Sequence, residues 1–310
     1  MPPTVSINLC CYNAEKYLKE TLTSIVNQTY KDWELIIIND GSSDSTEGIV
    51  DEFVKLGYPI IYHSQENHGL GYSRNKALEL SKGEFIAFID QDDLWLPEKM
   101  AKQLPLFKDS AVGLVYCDSI FFNERGDAKL LYGSKRYYTG NCFRKLLGEY
   151  FLSLETVIIR RSCLGSSGSW FDPRFGMIEE ADLFIRIGYE WKLLMVPEPL
   201  SKWRVHSESE TWKKLYLFAE ETEIMLGKYD NLFADFNSLY SSEIRLLKRN
   251  VNLLAATWLW RNKQGREARK RLENNLFVDL KSTFLYGITF FPAKQILPLL
   301  QKIRGDVIPM

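Results

Sequence analysis

The stretch EFIAFIDQDDLW, residues 84–95, contains an apolar run that ends abruptly in carboxylates. The run from Phe85 to Ile89 is apolar throughout, which is typical of a strand buried on both faces of a sheet. Asp90, Asp92 and Asp93 follow within four positions. Because neighbouring carboxylates raise one another's pKa values, the sequence predicts that a positively charged group lies among them.

Strand and helix patterns alternate in the chain up to this point. Strand patterns cover residues 4–10, 33–40, 59–64 and 84–90. Apolar residues recur at helical spacing over residues 14–28, 42–56 and 70–81. This alternation predicts an α/β fold of the doubly wound class, with a mainly parallel sheet and right-handed crossovers.

The alternation becomes looser after residue 93. Strand patterns occur at 112–123, 155–161 and 192–196, and helical patterns at 97–107 and 180–190. From about residue 211 onward only helical patterns remain, at 213–229 and 231–260. We therefore predict two domains, an α/β domain over residues 1–210 and a helical region over residues 211–310.

Composition excludes several classes of protein. The net charge of −1 argues against nucleic-acid binding, and 45% hydrophobic with 25% charged residues is ordinary for a soluble globular chain. The five cysteines are odd in number and form no C-x-x-C, which favours a reducing compartment and argues against structural zinc. Neither a signal peptide nor a long uncharged apolar run is visible, so we expect a cytoplasmic protein.

Polar residues follow the strands at the edge where parallel sheets bind ligands. They are Tyr12 and Asn13 after the first strand, Asp40 after the second, and Asp90, Gln91, Asp92 and Asp93 after the fourth. The first turn, CCYNAEKY, lacks glycine and is therefore neither a dinucleotide fingerprint nor a P-loop. Such a crevice suits Mg²⁺ or Mn²⁺ held by carboxylates together with substrate phosphates.

Each of these residues also has a simpler interpretation. The acidic run could be a polar turn with a helix cap, Tyr12 could belong to the core, and Asp40 could close an Asx turn. Arg74, between the third and fourth strands, could be a solvated helix residue. The functional interpretation rests on their common position after consecutive strands.

Three segments, CYNAEKYLKETLTSIVNQTYKDWELIIINDGSSDST, NHGLGYSRNKAL and GEFIAFIDQDD, resemble in this order the start of a family 2 glycosyltransferase of the GT-A fold. The resemblance covers about residues 4–206. It implies a GT-A domain, Rossmann-like, with a helical C-terminal extension. It also implies inverting, metal-dependent transfer of a sugar from a nucleotide diphosphate donor, a UDP-sugar, to a glycan or lipid-linked oligosaccharide in surface polysaccharide synthesis.

The resemblance implies a role for each polar residue at the strand ends. Asp40 would contact the nucleobase, and Tyr12 with Asn13 would wall the base and ribose. Arg74 would lie near the diphosphate. Asp90, next to Gln91, would face the ribose and sugar. The implied ligands of Mn²⁺ or Mg²⁺ are Asp92, Asp93 and His206.

The catalytic base is expected in the segment FGMIEEADLFIRIGYEW, which resembles the acidic motif of the family at a helix start. Glu179 and Glu180 fill the acidic pair and Asp182 the later acid. Glu180 occupies the position at which the family pattern has Asp, so which of the three acids is the base stays open. The same acids would also stabilise a helix N-terminus.

The last fifty residues carry a basic stretch followed by an aromatic one. Residues 261–271 contain six basic residues and one acidic residue. One interpretation is a peripheral anchor on the cytoplasmic face of an anionic membrane, and the other is a packed structural element or an oligomer contact. Two other functions remain open, a sugar-1-phosphate nucleotidyltransferase and a non-catalytic nucleotide- or glycan-binding homologue. The glycine-free first turn argues against the former, and the intact acidic run against the latter.

Overall fold

The structure is a computed structural model that describes residues 2–126, 128–133, 137–165, 170–206, 214–273, 276 and 279–296. The chain forms two compact units, one of residues 1–143 with 151–206 and one of residues 144–150 with 207–310. The boundary predicted between residues 210 and 211 falls in 207–213, outside the described residues, and stays a prediction.

The first unit is built on one sheet, which has nine strands among the residues described. They are β1 (Val5–Cys11), β2 (Trp33–Asp40), β3 (Ile60–Gln65), β4 (Phe85–Asp90), β5 (Leu94–Trp95), β6 (Val112–Asn123), β7 (Ala128–Leu130), β8 (Ile158–Arg160) and β9 (Lys192–Val205). Their order is β3-β2-β1-β4-β8-β6-β9-β5, and β7 pairs with β6.

The first four strands confirm the predicted parallel sheet. β3, β2, β1 and β4 are neighbours and all run parallel. Every residue of β2 is buried, as its continuous apolar run predicts. The register aligns Cys10 with Asp90 and Cys11 with Asn39, so the carboxyl ends of β1, β2 and β4 meet at one edge.

Beyond β4 the sheet is mixed rather than mainly parallel. β8 pairs antiparallel with both β4 and β6, whereas β9 runs parallel to β6. The pattern at 192–196 predicts a short strand, and Pro197, which cannot donate to a ladder, follows it directly. β9 nevertheless continues to Val205, because the register jumps from Cys117–Val196 to Asp118–Pro199 and leaves two residues in a bulge.

The helices of the first unit flank this sheet. They are α1 (Leu18–Val26), α2 (Thr46–Lys55), α3 (Leu70–Leu80), α4 (Lys99–Gln103) and α6 (Glu179–Glu190). Between α4 and α6 in the sequence comes α5 (Phe143–Gly148), whose residues from Arg144 onward belong to the second unit. The helix predicted at 97–107 is α4 followed by a 3₁₀ turn, Leu104–Lys108, which contains Pro105. Most of the helical prediction is thereby confirmed, although α5 was not foreseen.

The second unit is helical, as predicted. Its helices after α5 are α7 (Leu217–Leu232), α8 (Phe236–Leu239), α9 (Ser241–Arg261), α10 (Gly265–Leu272) and α11 (Leu280–Ile288). The single helix predicted over 231–260 was wrong, because the chain breaks at Asp235, whose φ of 53° is left-handed. None of the helices in the described residues is long and apolar enough to cross a membrane.

Candidate active site

Arg74 places a positive charge beside Asp90, the first acid of the run. This residue of α3 is buried, and its guanidinium Nη2 lies 3.0 Å from Asp90 Oδ1 at the end of β4. Its Nη1 lies 2.6 Å from Glu179 Oε1 and 3.6 Å from Glu180 Oε2, both at the start of α6. One enclosed cation thus joins three carboxylates from two distant segments, which excludes the solvated interpretation of Arg74.

Burial sets the protonation of this cluster. It raises the pKa of Asp90, with Asp92 adding to the effect and Arg74 opposing it. Burial likewise raises the pKa of Glu180 to about 8, again against the attraction of Arg74 and with help from Glu179 and Asp90. A carboxyl group whose pKa lies near neutral pH can take up a proton and release it again.

The three acids of the α6 segment have different surroundings. Glu179 is buried and forms the short ion pair with Arg74. Asp182 is fully buried, and its Oδ2 lies 2.9 Å from Nη2 of Arg186 one turn later in the helix. The Glu180 side chain keeps 23% of its surface exposed. Of the three, Glu180 is therefore the carboxylate that solvent or a substrate can reach.

Asp92 and His206 form a second polar pair at the same edge of the sheet. His206 follows the end of β9, and its Nε2 lies 2.7 Å from Asp92 Oδ2. The other ring nitrogen, Nδ1, is buried and has no hydrogen-bond partner among the described residues. β9 reaches this position only because it continues past its two prolines.

This pair fits part of a divalent metal site. A carboxylate suits Mg²⁺ and Mn²⁺, and an added imidazole favours a transition metal such as Mn²⁺ over Mg²⁺. Within the described residues, no three His, Cys, Asp or Glu side chains are grouped to hold an ion by themselves. Such an ion would need further ligands from a substrate diphosphate and water, which is how Mg²⁺ commonly binds beside nucleotides.

The structure does not bring Asp93, the third predicted metal ligand, to this pair. Its side chain is 1% exposed, and Oδ1 accepts a hydrogen bond from the Arg204 backbone N–H at 2.9 Å. Burial raises its pKa well above the ordinary value, and the charges of Asp92 and buried Glu155 raise it further. Asp93 is thus held inward by the backbone of β9, whereas Asp92 contacts His206.

Asp40 organises the loop that follows β3. Its Oδ1 accepts hydrogen bonds from Gln65 Nε2 at 2.8 Å and from the His68 backbone N–H at 2.9 Å, and Oδ2 accepts one from the Gly69 N–H at 2.9 Å. The nearby turn is closed by Asn39, whose side chain accepts from the Ser42 N–H. The Asx-turn interpretation of Asp40 is therefore wrong. A carboxylate has about four acceptor sites, so about one stays open.

Gln91 ties the ends of β1 and β4 together. Its Oε1 accepts from the Tyr12 N–H at 2.8 Å, and its Nε2 donates to the Tyr12 carbonyl at 3.3 Å. The Tyr12 side chain is 49% exposed, so it is not a core residue. Asn13 has a φ of 48° and accepts from the Ser43 N–H. An exposed ring thus lies on a backbone fixed from two sides.

Sequence reasoning missed Arg204. Its Nε donates to the Asp92 carbonyl at 2.9 Å, and its Nη2 lies 2.7 Å from Glu20 Oε2. The signal was present, because residues two apart on a strand share a face and WRVH places Arg204 two residues before His206. The predicted end of the strand at Val196 hid this relation.

A family model described as Glycosyl transferase family 2 matches residues 6–166, more than half of the chain. The chain belongs to glycosyl transferase family 2. The predicted family is thereby confirmed, and with it the enzyme class, a glycosyltransferase.

Among relatives, glycosyltransferase MJ1057 of Methanocaldococcus jannaschii is 30% identical over 208 residues, 66% of this chain and 71% of that protein. Escherichia coli WfgD, a UDP-Glc:alpha-D-GlcNAc-diphosphoundecaprenol beta-1,3-glucosyltransferase, is 29% identical over 160 residues, 52% of this chain and 61% of that protein. Bacillus subtilis EpsH is 41% identical over 116 residues. That match covers 37% of this chain and only a third, 33%, of EpsH.

Solved structures confirm the GT-A fold. Mannosyltransferase PcManGT from Pyrobaculum calidifontis, solved in complex with GDP-Man and Mn²⁺, gives a TM-score of 0.63 at 15% identity, over 99% of this chain and 88% of that one. S. aureus TarS 1-349, solved in complex with UDP-GlcNAc, gives 0.60 at 18% identity, over 93% of this chain and 79% of that one. At these identities the likeness concerns the fold.

Proposed function

We propose that this glycosyltransferase is inverting and metal-dependent, and that it transfers a sugar from a UDP-sugar to a glycan or lipid-linked oligosaccharide in surface polysaccharide synthesis. The observation that carries this proposal is the Arg74 cluster. It brings Glu180, from the α6 start, to the same guanidinium as Asp90, from the β4 end. A candidate base therefore lies beside the strand end at which the donor sugar is expected.

Glu180 is the proposed base. Its carboxylate takes the proton of the acceptor hydroxyl, and the acceptor oxygen forms a bond to the anomeric carbon from the face opposite the diphosphate. The bond between that carbon and the diphosphate oxygen breaks, and its electron pair leaves with the nucleoside diphosphate. Glu179 is less suited because it is committed to Arg74, and Asp182 because it is enclosed with Arg186.

Asp92 and His206 are the proposed protein ligands of the metal, with Mn²⁺ favoured by the imidazole. When bound, a divalent cation neutralises the charge that develops on a leaving diphosphate. In this proposal Asp93 is not a metal ligand, and its carboxylate instead accepts a hydrogen bond from the Arg204 backbone N–H in β9. Asp90 faces the ribose and sugar, with its carboxylate oriented by Arg74.

The donor base is proposed to be uracil. Asp40 keeps about one open acceptor site, which suits the single imide N–H of uracil or thymine. The exposed Tyr12 ring supplies a stacking face, Gln91 fixes the Tyr12 backbone, and Asn13 is tied to the Ser43 N–H. WfgD carries UDP-Glc in its name and the TarS structure contains UDP-GlcNAc, whereas PcManGT was solved with GDP-Man, so the relatives support a nucleotide-sugar in general.

The acceptor is proposed to lie at a membrane surface. The residues of α11 and the turn after it expose apolar side chains: Leu280 at 90%, Phe284 at 58%, Phe290 at 61% and Phe291 at 57%. Residues 261–296 carry eight basic and three acidic residues, whereas the whole chain has a net charge of −1. Basic and aromatic residues together favour an anionic lipid surface, where a lipid-linked acceptor such as that named for WfgD resides.

A thermal-shift screen of nucleotide-sugars with and without Mn²⁺, followed by turnover with the best donor, tests this proposal. A ligand that binds only the native state raises the unfolding midpoint, so UDP-sugars with Mn²⁺ should give the largest shift. Retention of the anomeric configuration in the product would overturn the inverting mechanism. Binding without any turnover, across a panel of glycan acceptors, would support the non-catalytic interpretation instead. Family membership leaves the nucleotidyltransferase interpretation without support.

A further inference from the structure

Arg204 contacts three segments near the Asp92–His206 pair, those of Tyr17, Phe122 and the acidic loop. Its guanidinium carbon lies 4.5 Å from the centre of the Tyr17 ring and 4.6 Å from that of Phe122, so the cation is held between two aromatic faces. Its side chain is almost fully buried, with 7% exposed. The stacking fixes the plane of the guanidinium, and with it the direction of every N–H bond it donates.

Two of the bonds that Arg204 makes hold the acidic loop. The side-chain Nε donates to the Asp92 carbonyl at 2.9 Å, and the backbone N–H donates to Asp93 Oδ1 at 2.9 Å. The same residue is two positions before His206 on β9. Arg204 therefore fixes the backbone that carries Asp92 and also belongs to the strand that carries His206.

Tyr17, the residue before α1, completes this arrangement. Its ring lies 5.0 Å from the His206 ring on one side and contacts the Arg204 guanidinium as well. Its hydroxyl donates to Glu124 at 2.7 Å, which fixes the ring. The imidazole is thus packed against a ring that is itself held by Arg204 and Glu124.

We propose that Arg204 is a positioning residue that sets the geometry of Asp92 and His206 and thereby the affinity of the enzyme for a divalent cation. The inference rests on the proposed metal-dependent function. Arg204 itself does not bind the metal. Lysine cannot replace it, because an ammonium group lacks the planar fork that stacks between two rings while donating sideways to a carbonyl.

The chain offers a closely matched control in Arg160 of β8. Its guanidinium lies 5.3 Å from the Phe85 ring and 5.4 Å from the Phe107 ring. It also pairs with the exposed Glu84 at 3.0 Å and donates to backbone carbonyls. Arg160 is paired with Phe85, at the opposite end of β4 from Asp90, which places it about 17 Å away along the strand.

The test measures Mn²⁺ binding in the presence of UDP, by electron paramagnetic resonance of free Mn²⁺, for wild type, R204K, R160K and D92N. We expect R204K to weaken Mn²⁺ binding by about 10- to 100-fold, the usual range when a residue that orients metal ligands is replaced. R160K should lower the unfolding midpoint without changing Mn²⁺ affinity. D92N, which removes a ligand, should bind least.

Each outcome decides between the inference and the function on which it rests. If wild type and D92N bind Mn²⁺ equally, the proposed metal site itself is wrong. If D92N weakens binding but R204K does not, or if R160K weakens it as much as R204K, only the positioning role is overturned. Should R204K fail to fold, F122L decides, because Phe122 contacts Arg204 and is not a proposed ligand. Unchanged Mn²⁺ affinity in F122L would then refute the inference.

Discussion

Replacement of Glu180 by Gln should remove proton transfer while leaving donor binding nearly intact. The change keeps the size of the side chain. Asp90 and Glu179, which lie closer to Arg74 than Glu180 does, remain in place. General base catalysis contributes about 10²- to 10⁴-fold in rate, so kcat should fall by that factor, or by about 3–5 kcal/mol in barrier height. The KM for the donor should change little.

The raised pKa of Glu180 adds a prediction that a purely structural residue would not meet. The base must be ionised to act, and with a pKa of about 8 only about one-tenth of the enzyme is active at pH 7. Between pH 7 and pH 9 the wild-type kcat/KM for the acceptor should therefore rise about tenfold, because the ionised fraction of the free enzyme rises by that factor. E180Q should lose this rising limb.

The assay is release of nucleoside diphosphate at saturating donor over a range of acceptor concentrations, which gives kcat and kcat/KM, with stability followed at each pH. D182N is the matched control from the same helix turn. It removes half of a buried ion pair with Arg186, so it should lower stability but keep the shape of the pH profile. Near-normal turnover in E180Q, or a rising limb that survives in it, would refute the assignment and move the role to Glu179 or Asp182.

Three further expectations concern the nucleobase of the donor, the buried Lys99 side chain and binding to a membrane surface. Calorimetry should show UDP and dTDP binding more tightly than CDP, whose base has no imide N–H for Asp40; equal affinity would contradict that contact. Lys99 is fully buried, its Nζ has no hydrogen-bond partner in the described part of the chain, and burial lowers its pKa to about 8. Because the folded pKa is depressed below the ordinary 10.5, its destabilising effect is present below pH 8 and fades as pH rises to 10.5. Lys99→Met should therefore stabilise the protein against urea at pH 7 by at most about 3 kcal/mol, and a loss of stability there would contradict this reasoning. Sedimentation with anionic liposomes should be weaker for Phe284→Ser than for Leu239→Ser. The latter is the control, because it removes a similarly exposed apolar side chain elsewhere. Identical sedimentation of both variants and wild type would favour a packed element or an oligomer contact.

The parallel half of the sheet could be predicted because each of its strands has a recognisable pattern in its own residues. A continuous apolar run such as that of β2 requires burial on both faces whatever surrounds it. β9 could not be predicted in full, because a proline normally ends a strand and only the partner β6 shows that the ladder resumes after a bulge. The helix break at Asp235 could not be predicted either, because no glycine or proline in the sequence marks the left-handed φ of this residue.

In the candidate site, too, local patterns could be predicted and long-range contacts could not. Local motifs predicted Asp90, Asp92 and the acids of α6 as site residues. The position of Arg74 between Asp90 and Glu179 depends on a contact spanning 105 residues. The inward direction of Asp93 likewise follows from its bond to the backbone of Arg204, 111 residues later. Long-range partners of this kind leave no signature in residue spacing.

The placement of α5 has a consequence for the order in which the chain can fold during synthesis. Residues 144–150 belong to the helical unit, where Arg144 pairs with Glu243 and Gly148 lies against Leu246. At translation rates of about 5–20 residues per second, these partners emerge about 5–20 s after α5. During that interval the fully buried Leu146 and Leu147 lack the later helices of their unit. A ribosome-bound chain that ends near residue 206 should therefore be a preferred chaperone client, although the strands of its sheet are complete.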